Sequence, residues 1–197
     1  MIFRTLALTA ALIAPSIVLA QQSVRLRGTV DAIDESVVSM TSTSGEAVKV
    51  TMTDDYMLVV YRRIAVSDLA PGDFLSIPSV PGADSSKIAL SINVFPEDMR
   101  GFGEGERPWD MTADSLMTNA TIGTVAGSTD GNILTVTYDG VAEQVIVPDA
   151  TPITRFAPDA ERRLQVGDKA IVFSTVDNGT VTGNFAGVSE DGSLPPV

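Results

Sequence analysis

The sequence predicts an all-β fold of two tandem small barrels, about five to six strands each. Three observations predict it. Short stretches alternate apolar and polar residues, the periodicity of a half-buried strand. Asp130-Gly131 and Asp139-Gly140 each lie between two such stretches, a strong hairpin signal. The chain also repeats itself at a fixed offset. Gly28-Thr29-Val30 recurs as Gly123-Thr124-Val125, and Leu69-Ala70-Pro71-Gly72-Asp73 recurs as Leu164-Gln165-Val166-Gly167-Asp168. Both anchors are 95 residues apart (123−28 and 167−72). A short sheet hides its edges only by curling on itself, so each copy is expected to close.

The elements follow in order. Val24 to Val30 alternates, and Val37 to Met40 follows the turn signal Asp34-Glu35-Ser36. Ser44-Gly45 turns into the alternating stretch Ala47 to Met52. Met57 to Ile64 reads as a buried strand, and Pro71-Gly72-Asp73 is turn chemistry. Phe74 to Val80 and Lys87 to Phe95 complete the first copy. In the second, Ala120 to Val125, Ile133 to Tyr138, Glu143 to Val147 and Thr151 to Phe156 come in the same order. Ala170 to Thr175 and Thr180 to Val188 form its last hairpin around Asp177-Asn178-Gly179. The expected boundaries are 1–20 for a signal peptide, 21–95 for the first barrel, 96–119 for a linker and 120–197 for the second barrel.

Arg4 followed by the apolar run Leu6 to Leu19 and the small Ala20 reads as a secretory signal, cleaved after Ala20. The run is shorter than the ~20 apolar residues a membrane span needs, and Pro15 interrupts it. The expected location is periplasmic or secreted, with no membrane span after cleavage. The 197 residues carry no cysteine and no histidine. Disulfides and Ser-His-Asp or Cys-His catalysis are thereby excluded. A net charge of −12 argues against nucleic acid and anionic lipid as partners.

With its Gly-Thr-Val and Leu-x-x-Gly-Asp marks, the chain resembles a family of bacterial exported β-barrel repeats of unknown function with an OB-like strand order. The stretch Phe95 to Asp110, containing Gly103-Glu104-Gly105-Glu106-Arg107-Pro108-Trp109-Asp110, is similar to uncharacterised periplasmic proteins of proteobacteria. Some of those carry a metal-transport label, and they often have histidine where Glu106 stands. The resemblance implies fold rather than activity.

Residues 96–119 break the β pattern and hold three glycines, the single Trp and six acidic residues. Long loops of this kind are functional or are linkers. Phe102, Glu104, Glu106, Arg107, Trp109 and Asp110 are the candidate ligand or interface residues. Glu104, Glu106, Asp110 and Met111 are the candidate metal ligands: carboxylates for a divalent cation, a thioether for copper(I). No other cofactor is implied. The blander alternative is an acidic tether, with Trp109 and Phe102 packed between the barrels and Arg100 and Arg107 paired to nearby carboxylates. The expected function is a non-catalytic exported binding module for an unknown protein or small ligand. Metal handling through the linker, and a carboxylate-dependent hydrolase, are the alternatives.

Overall fold

The computed structural model describes residues 22–83, 85–128 and 131–197. The signal-peptide segment lies outside them. The fold is all-β, 62 % strand and 3 % helix, and contains a closed five-stranded barrel with further strands. Among the described residues thirteen strands run in order: β1 Gln22–Asp34, β2 Val37–Ser42, β3 Ala47–Arg63, β4 Phe74–Pro81, β5 Lys87–Ala89, β6 Ile92–Val94 and β7 Gly105–Pro108. They continue as β8 Leu116–Ser128, β9 Gly131–Tyr138, β10 Val141–Val147, β11 Ile153–Pro158, β12 Lys169–Asp177 and β13 Thr180–Ser189.

The pairings trace two circuits. β1, β2 and β3 form a meander; β3 pairs in parallel with β13, β13 with β12, and β12 back with β1. This first ring encloses Val30, Met40, Val50, Leu58, Val172 and Val188. In the same way β8, β9 and β10 form a meander; β10 pairs in parallel with β5, β5 with β4, and β4 with β8. The second ring encloses Leu75, Ile77, Ile122, Leu134, Val136 and Val145. Each ring therefore takes its meander from one half of the chain and its closing strands from the other. The sequence places strands 74–95 in the first barrel, within the boundary 21–95. The pairing instead carries them into the second ring, and β12 and β13 into the first.

The register explains how the exchange is built. β3 has 17 residues, ~56 Å at the usual rise of a strand. Its start pairs with β2, its middle with β13 and its end with β11. β11 lies between β3 and β6 and so joins the two rings in one continuous sheet. In the β3–β11 ladder Tyr61 stands opposite Phe156, with ring centroids 5.3 Å apart. These two residues are themselves 95 apart (156−61), the offset of the two sequence anchors.

The repeated turns have the same geometry. Gly72 and Gly167 both have φ 93°, a left-handed conformation that favours glycine. Asp73 accepts the Ala70 N–H at 3.0 Å, and Asp168 accepts the Gln165 N–H at 2.9 Å. Each turn docks on the opposite half: Gly72 N–H donates to Ile122 O and Gly167 N–H to Val30 O, both at 2.8 Å. Val30 and Ile122 thus play one role, and they are 92 apart (122−30). The Gly-Thr-Val match is three residues out of structural register. Its two glycines do different work. A Cβ on Gly28 would lie 2.1 Å from Thr41 O, so the bend of β1 onto β2 requires glycine there. One on Gly123 would lie 3.3 Å from Thr135 O, a far milder contact. Both first strands are bulged, between Val30 and Ala32 and between Ile122 and Thr124. Bulges sharpen the coiling that lets so few strands close.

The crossed pairing is directly testable because the chain has no cysteine. Ser23 and Thr175 are cross-strand partners in β1 and β12. Oxidation of the Ser23→Cys/Thr175→Cys variant is expected to give a monomeric species with a 23–175 disulfide on peptide mapping. Only intermolecular or free thiols would contradict the pairing.

Candidate functional site

A third apolar cluster lies outside both ring interiors, at the seam between them. Val59, Tyr61, Trp109, Met117, Phe156 and Ile171 form its buried part, with Phe95, Phe173 and Phe185 packed against it. Its rings meet at angles, Phe95 on Phe156 at 4.9 Å and Phe173 on Phe185 at 5.2 Å. Tilted and edge-to-face contacts are the arrangements that aromatic pairs prefer. Beside them the seam keeps a partly open cavity of about 420 Å³. Tyr61 and Phe156 line it from the β3–β11 ladder, Phe173 and Phe185 from β12 and β13, and Met117 and Asn119 from β8.

The segment 96–119 forms the remaining wall. A short 3-10 turn at Glu97–Met99 leads through Gly101 and Gly103, at φ 80° and 55°, into β7, which pairs with the start of β8. Two side chains pin the loop. Asn119 Nδ2 donates to Phe102 O at 2.8 Å, and Arg107 NH1 donates to Gly103 O at 2.7 Å. Phe102 is held over the mouth of the cavity, 65 % exposed. β7 delivers Arg107 to the cavity and is followed directly by Trp109, whose ring is buried.

The electrostatics of this wall are cationic. The Arg25 guanidinium lies 3.6 Å from the Trp109 ring centroid, and that of Arg107 lies 5.9 Å away. Such cations are held by the ring quadrupole. Asp110 accepts Arg27 at 2.7 Å and pairs with Arg25 at 3.3 Å. Burial alone would raise the Asp110 carboxyl. The Arg27 hydrogen bond and the charges of Arg27 and Arg25 outweigh it and hold the group below the usual carboxylate range. Among the described residues Arg107 has no carboxylate partner. Burial pushes its pKa down, and the like charge of Arg25 adds to this. Among the described residues no acidic side chain lines the cavity. Two buried polar atoms on its lining residues lack partners, Trp109 Nε1 and Asn119 Oδ1.

The linker residues singled out in the sequence therefore separate. Phe102, Arg107 and Trp109 come together at the cavity. Glu106 turns away, into a cluster with Lys87 and Glu143, where the buried ammonium also donates to Thr118 at 3.3 Å. Tyr138 closes that cluster, and burial followed by the neighbouring Glu143 carboxylate pushes its hydroxyl up to about 12. Glu104 is exposed and accepts the Asp139 N–H at 3.4 Å. Met111 packs against the seam. The four candidate metal ligands thus face different partners. Among the described residues no group of three acidic side chains is placed to hold a metal. Arg100 pairs with Glu97, as a packed tether predicts, whereas Arg107 departs from that expectation.

Asn119 carried no sequence signal as a cavity residue. It reads as a sequon asparagine, yet it is 1 % exposed within β8. The aromatic lining from four separate strands was equally hidden, because only the exchanged pairing brings it together. No protein-family model, curated protein or solved structure matches the chain.

Two substitutions test this electrostatic layout. A carboxyl held low in the fold adds stability above its unfolded value and loses it as pH falls through its folded value. Asp110→Asn is therefore expected to lower stability near neutral pH and to flatten the wild-type loss of stability below about pH 4. Acid-unfolding curves of the two proteins check this. Lys87→Met leaves Glu106 and Glu143 facing each other. It is expected to cost about 2 kcal/mol in denaturant unfolding, less than a fully buried pair would, because both carboxylates keep contact with water.

Proposed function

We propose that the chain is an exported, non-catalytic binding module that holds a small, largely apolar organic ligand in the seam cavity. The observation that carries this reading is the cavity itself. It is walled by aromatic and methionine side chains and carries a few polar groups at fixed positions, the composition of a small-molecule site. A volume of about 420 Å³ suits a ligand of a few rings rather than a peptide or polymer. The charge-bearing groups nearest to it are arginines paired or stacked on Trp109, and no nucleophile–base pair faces it.

In this reading the scaffold is a duplicated OB-like barrel whose copies have traded their closing strands. Support comes from the two circuits, which run first–second–third–fifth–fourth in the same sense, each with a parallel third–fifth pairing. The matched Gly72 and Gly167 turns and the Tyr61–Phe156 crossing add to it. The seam that the exchange creates is then the feature a single barrel lacks. Export rests on residues 1–20 and places the module in the periplasm or outside the cell.

Trp109 is the only tryptophan and stands in the cavity wall. A neutral fluorescent probe, N-phenyl-1-naphthylamine, is expected to bind saturably at one site per chain and to quench Trp109 emission by energy transfer. Absence of binding, or linear uptake without quenching, would contradict a ligand site at the seam.

A further inference from the structure

We propose that the seam cavity selects an amphipathic organic carboxylate. Its acid group would lodge against Arg107, and its aromatic or branched apolar body would fill the phenylalanine-lined space. This rests on the binding reading above and adds the chemical class of the ligand.

Three observations carry it. Among the described residues Arg107 is the one charged side chain lining a mainly apolar cavity, and no carboxylate pairs with it, although the chain carries 25 acidic residues. Asp110, the nearest acid in sequence to Trp109, is already engaged by Arg25 and Arg27. Arg107 uses NH1 for Gly103 O, which fixes the guanidinium in place. A planar guanidinium so fixed suits a carboxylate better than a diffuse anion. The overall charge of −12 opposes an anion at long range. Selectivity therefore has to come from contact, and screening by salt should not weaken it.

The test compares two probes that share one three-ring skeleton and its N–H. N-phenyl-1-naphthylamine is neutral, and 8-anilinonaphthalene-1-sulfonate adds a single anionic group that stands in for the carboxylate. On the folded wild-type chain the anionic probe is expected to bind at least about tenfold more tightly, as a charge-assisted contact with Arg107 requires. Its affinity should hold or rise as salt is added. Arg107→Gln should abolish the preference while leaving the neutral probe bound, and Arg107→Lys should restore part of it. Equal binding of the two probes, or a preference for the neutral one, would overturn the carboxylate inference and leave the cavity reading standing. Failure of both probes would overturn both. A preference that survives in Arg107→Gln would place the anion elsewhere and equally overturn the inference.

Discussion

The β3–β11 ladder carries the rest of the molecule. β3 leaves the first ring, passes its end to β11, and β11 passes on to β6 beside the second ring. Backbone groups at these strand ends would otherwise form open edges, and an open edge is both unstable and prone to association. Pairing the two ends with each other removes both edges in one step. It also fixes the distance between the rings, because a ladder sets strand separation at about 4.8 Å. The chain beyond β3 then emerges on the far side of the ladder, where β4 and β5 close the other ring. Exchange of closing strands follows from the path of β3 rather than from any special affinity of β4 or β12.

The seam cavity is a consequence of that geometry. Two convex rings joined along one ladder leave a wedge beside it, and the aromatic side chains of β11, β12 and β13 reach into the wedge without filling it. The segment between the two meanders covers the open side. Its glycines permit the tight path, Trp109 anchors it, and the Arg25–Asp110–Arg27 group ties the anchor to β1. Among the described residues Arg107, in the same wall, has no carboxylate partner. The cavity wall and the tie to β1 thus share the same few residues, and a change at Trp109 should loosen both.

Part of this was legible in the sequence. The strands and hairpins were, because alternation and Asp-Gly turns act locally. The Leu-x-x-Gly-Asp turns were, because Gly72 and Gly167 meet one backbone requirement with one residue type. Gly-Thr-Val misled: Gly28 is demanded by the close approach of Thr41, whereas Gly123 sits three residues out of the matching register. The exchange was illegible for a physical reason. If the halves are alike, β4 and β12 fit either meander, and local pattern cannot say which. At the site, Phe102, Arg107 and Trp109 stood out because they lie in one unpatterned segment. Asn119 and the phenylalanines did not, because inside a strand a cavity-facing residue follows the same alternation as a core one. The acidic residues of that segment suggested a cation, yet Lys87, Arg25 and Arg27 already neutralise Glu106 and Asp110 from distant strands.

The central claim is that neither ring is complete without strands from the other half. Differential scanning calorimetry of the protein tests it most directly. Interlocked rings must unfold together, giving one transition whose calorimetric and van't Hoff enthalpies agree. Two separable transitions, each with the enthalpy of about half the chain, would show that the halves fold as independent barrels and would contradict the account.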